Sequence, residues 1–294
     1  MQMTTRVGFP EAPEPTLAPA LVECVLTKLG LHQPPALDLS GLNALYAAVS
    51  ANIPFDNFQK RIWFAGPQTT QFPGGEPNEF FNNWLQHGTG GTCWPLNGAM
   101  YALVHVLGFE ARRIVGSVIV EGYPRGANHG SVLVTLDGIN YLVDAWMASF
   151  TVLPLISGKP SSTGHGIHDI SAAPTETGFE IITYPGFDRE HPLPFRNEPE
   201  YDPVDHALFL ARYDRTKTVG FFNDAIFICR HFPESILTMG RKSKFHLAAD
   251  GTLTKTEPTE AQRKTSLIEE FGLSEDIVEK IPPNVPGGIA PPGL

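Results

Sequence analysis

The chain reads as an α+β protein on three observations. Up to Gly108 the apolar residues recur at helical spacing; from Arg113 to Phe150 the pattern turns to β-rich runs with a tight-turn signal; the last third mixes the two. A chain of 294 residues, 42% of them hydrophobic, can bury a substantial core, divided among two or three subdomains.

Taken in order, residues 1–19 form a Pro-rich tail. A helical domain is expected over 20–110, with helical pieces at 21–29, 42–49 and 79–86 and a further helix starting at Cys93. A β-rich domain follows over 111–215. Its strands are expected at 113–120, at 131–136 with 139–143, and further on at 179–183 and 207–213. The stretch 157–201 is rich in Gly, Pro and His with little periodicity, and some of it should be an irregular surface excursion. Residues 216–280 should form an α/β unit, with strands at 225–229 and 245–247, a hairpin signal at Asp250-Gly251, and a helix over 260–271. The Pro/Gly-rich tail 281–294 cannot continue a helix or strand and is expected to be mobile.

The central hairpin fixes a geometry. Asp137-Gly138 between two β-rich runs is a strong two-residue turn signal, so Leu136 faces Ile139 and facing residues sum to about 275. Ser131 then lies opposite Asp144, and His129, two residues earlier, shares that face as a diagonal neighbour within side-chain reach. An aspartate so placed can accept the imidazole N–H, leaving the other ring nitrogen for a nucleophile.

Cys93 is the candidate nucleophile. Leu96, Met100, Leu103, Val104 and Leu107 recur at helical spacing and Gly108 closes the segment; Thr92 is the expected N-cap, and Pro95 is tolerated only within a first turn. In that turn, unpaired backbone donors, the helix dipole and a nearby imidazolium all favour a thiolate. Gly90 and Gly91 remove bulk where an acyl donor would approach.

With these residues in place, the chain resembles the arylamine N-acetyltransferase family. That family carries Arg-Gly-Gly-x-Cys with an asparagine four residues after the cysteine, then a histidine before a strand and an aspartate ending the next. Gly90, Gly91, Cys93, Asn97, His129 and Asp144 match; Ile53-Pro54-Phe55-Asp56-Asn57 looks like the family's Ile-Pro-Phe-Glu-Asn, and residues 267–273 resemble its closing helix. The resemblance implies an N-terminal helical domain, a central β-barrel-like domain and a C-terminal α/β lid around a cysteine-protease-like catalytic core. It also implies Cys93, His129 and Asp144 as catalytic residues, acyl transfer through an acyl-cysteine, acetyl-CoA or another acyl thioester as co-substrate with no permanently bound cofactor, and an arylamine, hydrazine or other amine as acceptor. Phe55, Trp94 and Trp146 are expected to contact substrate, with Asp56, Gly90, Gly91 and Asn97 supporting the site.

Three departures bear on the donor. Thr89 stands where the family has arginine, leaving Asp56 without its basic partner; Pro95 replaces a frequent glutamate; Trp146 replaces a small glycine beside the acyl pocket. These suggest a donor other than acetyl-CoA, either a bulkier acyl thioester or one held on an acyl carrier protein. A cysteine hydrolase of transglutaminase-like or papain-like type, and a binding protein with a retained triad, are the competing classes.

Composition narrows the partners. The formal net charge of −10 disfavours nucleic acid and anionic lipid, and the Arg241-Lys242-Ser243-Lys244 patch reads as a solvated turn ahead of a phosphate site. No stretch is apolar and long enough to span a membrane, and three cysteines without a secretion signal suggest reduced thiols in the cytoplasm. Gly158-Lys159 is no phosphate loop, because Leu153 stands where the first glycine must be. His165, His168 and His191 read as solvated loop histidines and no metal site is expected.

Overall fold

The computed structural model describes residues 14–120, 126–183, 193–199, 202 and 204–289. Five helices with one short strand come first: α1 (Pro19–Lys28), α2 (Leu39–Asn52), β1 (Phe55–Asp56), α3 (Phe58–Ala65), α4 (Pro77–His87) and α5 (Cys93–Val106). α1 and α4 open with proline, where a missing N–H costs nothing, and the Asp38 side chain caps α2 by accepting from Gly41 N at 2.8 Å. α5 is apolar nearly all round and sits in the main core with Leu42, Leu45, Phe81 and Val132. α3 was not anticipated, since its buried side includes Lys60 and Arg61, which hide the apolar period.

Eight strands then form an antiparallel sheet: β2 (Glu110–Val118), β3 (His129–Leu136), β4 (Ile139–Leu142), β5 (Leu153–Leu155), β6 (Ser161–His165), β7 (His168–Pro174), β8 (Phe179–Thr183) and β9 (Leu193–Asn197). Their order is β5-β4-β3-β2-β9-β8-β7-β6. The two end strands meet where Ser161 Oγ donates to Pro154 O, so the sheet curls into a nearly closed barrel. The β3–β4 register is Leu136↔Ile139 through Leu133↔Leu142, as the Asp137-Gly138 turn requires, and both turn residues have positive φ (50° and 77°).

One expectation is extended here and one fails. The stretch 157–201 contains four strands, β6 to β9, of which only β8 at 179–183 was expected; its short polar alternation conceals ladders in which only every second residue, such as Ile170, Ala172 and Ile181, is buried. Residues 207–213 lie in a helix, α6 (His206–Arg215). Asp205 caps it by accepting from Leu208 N at 2.7 Å, and Phe209 and Tyr213 bury the i, i+4 face.

The rest of the chain returns to β1. β10 (Ile228–Phe232), β11 (Ser235–Met239), β12 (Lys244–Ala248) and β13 (Leu253–Thr256) continue from β1 as a five-stranded sheet, with Phe55 opposite Cys229. α7 (Glu260–Glu269) and α8 (Glu275–Lys280) contribute Leu267, Ile277 and Val278 to a second cluster with Phe58, Ile228 and Met239. Residues 281–289 form no helix or strand, yet they are anchored rather than loose. Arg61 donates to Pro283 O at 2.6 Å, Val285 N to Asp224 O at 2.8 Å, and Arg241 to Val285 O and Gly288 O at 3.1 and 2.6 Å. Arg241 is therefore committed to the chain itself, as is Lys244, which pairs with Glu270 at 2.5 Å. Neither is the simple solvated turn residue that the sequence suggests.

A polar cluster joins the two sheets. His168 on β7 is buried and donates from Nε2 to Phe232 O at 2.7 Å; its Nδ1 lies 3.3 Å from His231 Nδ1, and His231 Nε2 lies 3.3 Å from Cys229 Sγ. His168 is thus no solvated loop histidine. His165 is exposed at the end of β6, and His191 lies outside the described residues. Among the described residues no helix is long and apolar enough to cross a membrane.

Candidate active site

Four segments converge on Cys93. Thr92 stands at the N-cap with extended backbone, although its side chain makes no capping bond, and Cys93 is the first residue of α5, half-buried. The loop before it is held from β1: Asp56 N donates to Gly91 O at 3.2 Å, and Asp56 accepts from Gly90 N at 2.5 Å and from Phe58 N at 3.0 Å. This close backbone contact explains the double glycine better than donor access does. A Cβ on Gly90 would fall 1.7 Å from Pro54 O, and one on Gly91 2.8 Å from Pro95 Cβ.

His129 and Asp144 occupy the positions that the hairpin register assigns them. His129 Nε2 lies 2.6 Å from Asp144 Oδ2, both groups are buried, and Cys93 is near enough for its charge to act on the ring. With Nε2 taken by the carboxylate, Nδ1 is the nitrogen left for sulfur. Asp144 Oδ1 accepts from Asn97 Nδ2 and from Trp146 N, each at 3.0 Å. Asn97, one turn along α5 from Cys93, also donates to Gly130 O at 2.7 Å and accepts from Ala145 N at 2.8 Å. One asparagine thereby ties the helix of Cys93 to both arms of the hairpin. Tyr46 on α2 adds a bond that the sequence did not suggest, donating to Asp144 O at 2.7 Å.

The electrostatics follow from this packing. Burial by itself lowers the His129 pKa, but the charges of Asp144 and Cys93 outweigh burial and raise it to about 10. Asp144 is likewise subject to burial, which would raise it, and His129 and Asn97 hold it below the ordinary carboxylate value. Asp56, with two backbone amides and no cationic partner among the described residues, is pushed by burial up to about 7. Lys60, which sequence reasoning missed, is buried at 5% exposure and donates to Thr216 Oγ1 at 3.0 Å. Burial lowers its pKa to about 8, against the opposing charge of Cys93.

The aromatic residues divide. Trp146 is half-buried, its ring 5.0 Å from that of His129 and 6.4 Å from that of Phe55; Phe55 packs further on Phe222 and Phe227, and Phe195 meets His129 at 5.1 Å. Trp94 departs from expectation. It is 2% exposed and packs edge-on against Phe209 at 4.9 Å, so it is part of the core and not an open wall of the site. A residue that follows Cys93 in the first turn projects about 100° around the helix from it, which carries Trp94 inward.

A family profile described as N-acetyltransferase matches residues 38–279. Human arylamine N-acetyltransferase 1 is 24% identical over 281 residues, 90% of this chain and 92% of that protein. Among solved structures, the arylamine N-acetyltransferase of Salmonella typhimurium superposes with a TM-score of 0.74 at 16% identity, covering 89% of this chain and 97% of that one. The Bacillus cereus arylamine N-acetyltransferase, described as having a unique Cys-His-Glu catalytic triad, gives 0.71 at 16% identity, covering 86% and 98%. A profile match across most of the chain, with relatives of matching length and fold, shows that this protein belongs to the arylamine N-acetyltransferase family of acyltransferases.

Proposed function

We propose that the chain transfers a short acyl group from a thioester, acetyl-CoA first among candidates, to an arylamine or hydrazine through an acyl-cysteine at Cys93. The observation that carries this reading is a half-buried thiol at the start of α5 whose charge acts on an imidazole, the imidazole Nε2 lying 2.6 Å from a buried carboxylate. His129 takes the Cys93 proton, and the thiolate attacks the donor carbonyl. The tetrahedral oxyanion is met by first-turn amides of α5, and it collapses to expel the donor thiolate, which recovers the proton from His129. The amine then attacks the acyl-cysteine. His129 accepts its proton as Cys93 leaves, giving the amide and a ping-pong scheme.

Trp146 supports a short acyl group, against the bulkier or carrier-bound donor suggested by sequence. Its ring stands 5.0 Å from His129 and 6.4 Å from Phe55, and this bulk beside the imidazole favours a short acyl group.

The test is intact-protein mass spectrometry after mixing with acetyl-CoA, longer acyl-CoAs and carrier-bound acyl groups. An acetyl adduct on Cys93 that is discharged by an arylamine is expected. Discharge at the same rate by water alone would mark a hydrolase, and no adduct from any donor would mark a binding protein.

A further inference from the structure

Behind Trp94, away from the thiol, lies a small cavity between α6, the start of α5, β2 and the loop before α4. Trp94, Arg113, His206, Phe209 and Tyr213 line it, and it has room for about one water-sized particle. Its polar groups are unusual. Arg113 is 2% exposed and stacks its guanidinium 3.7 Å over the Tyr101 ring. Its Nη1 is bonded to both oxygens of Glu14 at 2.9 and 3.1 Å, while Nε and Nη2 are buried with no hydrogen-bond partner among the described residues. Trp94 Nε1 and His206 Nδ1 are also buried and unpartnered among the described residues. Tyr213 is already committed, donating to Pro73 O at 2.6 Å.

Three residues that line one small cavity carry four orphaned polar atoms between them, a costly arrangement at about 1–3 kcal/mol for each buried group left unbonded. Their chemistry is one-sided. Guanidinium and indole N–H groups can only donate, and His206, whose pKa is held low by burial and then by Arg113, can donate from Nδ1 as a neutral ring. A water molecule would need acceptors for its own two hydrogens, whereas an anion takes every donor at once. Arg113 also has charge to spare, because its carboxylate partner among the described residues, Glu14, is half exposed to solvent and screened.

From this geometry we infer that the cavity is a binding site for a small monovalent anion of halide size, held by Arg113, Trp94 and His206. The site is separate from Cys93 but shares the first turn of its helix through Trp94. Its occupant therefore fixes the ring behind the nucleophile.

Crystals of the full chain grown or soaked in sodium bromide test this directly. An anomalous peak within hydrogen-bonding distance of Arg113 Nη2 and Trp94 Nε1 is expected. In solution, the unfolding midpoint should rise saturably with bromide when ionic strength is held constant with a bulky organic anion. Trp94→Phe keeps most of the ring and removes one donor, and should weaken half-saturation about tenfold. Arg113→Gln should abolish the effect, and if that variant does not fold, the Trp94→Phe comparison still decides. A cavity holding only water in bromide-soaked crystals, or identical salt responses in wild type and Trp94→Phe, would overturn the inference.

Discussion

Two cysteine–histidine chains occur among the described residues, and they are set to opposite states. In one, Cys93, His129 and Asp144 meet at the head of α5; in the other, Cys229, His231 and His168 join β10 to β7. Each has a buried imidazole next to sulfur and an aromatic neighbour, Trp146 at 5.0 Å from His129 and Phe150 at 4.7 Å from His168. Yet the His129 pKa is raised to about 10, whereas burial and His168 bring that of His231 down to about 3 and burial pushes Cys229 up to about 12. The third member makes the difference. A carboxylate supplies the negative charge that stabilises an imidazolium. A second imidazole, already donating to Phe232 O, can only accept at Nδ1, so the bonds run from S–H to His231 to His168 with every member neutral. A cysteine beside a histidine is therefore not in itself a nucleophile.

The comparison breaks most visibly at sulfur. Cys93→Ser should lower turnover by about 10⁶, following the measured loss of a triad nucleophile, while Cys229→Ser should leave turnover within a few-fold. Steady-state assays with circular dichroism to verify folding check both. Equal losses would erase the distinction between the two chains.

Neutralising the third member of the active chain is the next largest effect. Asp144→Asn should cost about 10⁴ in rate by the serine-protease precedent, because the amide no longer fixes the tautomer that presents Nδ1 to sulfur. His129 should also titrate near neutrality by NMR in that variant, in place of about 10 in the wild type.

Access differs between the chains as well, since Trp146 is half-buried while Phe150 is buried. Opening the wall with Trp146→Gly should move the kcat/KM ratio of longer acyl-CoA over acetyl-CoA by about 10- to 100-fold, the scale of a few methylenes in an apolar pocket. An unchanged ratio would show that the ring does not limit acyl length.

The smallest effect is a pair of opposing pH slopes. His231 has a folded pKa below its unfolded value near 6.5, so its contribution is present above that value and lost as pH falls towards about 3. His129 has a raised folded pKa, so its contribution is present below about 6.5 and lost as pH rises through about 10. Each slope is at most about 1.4 kcal/mol per pH unit. Denaturant titrations should show the acid limb flatten in His231→Gln and the alkaline limb flatten in His129→Gln.

How much of this was legible in the sequence depends on range. The placement of His129 near Asp144 could be read because a two-residue turn dictates the register of its own hairpin. The helices at α1, α2, α4 and α5 were visible in their apolar periods, and the α+β class followed. α6 was mistaken for a strand because a run such as Leu208-Phe209-Leu210 carries no period, and its cap at Asp205 is the signal that would have settled it. The Cys229 cluster was invisible for another reason. His168 and His231 are 63 residues apart, and only the packing of two sheets brings them together. Asn97 was flagged by resemblance alone, and nothing local marks it as the tie between α5 and the hairpin.

The two-residue strand β1 has a consequence for synthesis. The Cys93 loop hangs from it through Gly91, and β1 itself has its ladder partner in Cys229 and Ile228, more than 170 residues further along. At translation rates of about 5–20 residues per second, the strand waits roughly 10–30 s for that partner to leave the ribosome. During that interval the nascent chain exposes a thiol without the support that shapes its loop. Stalled chains ending before Ile228 should therefore form no acyl adduct in a pulse of acetyl-CoA, and chains extending well past Met239 should, which would make arming of the enzyme a late event in its own translation.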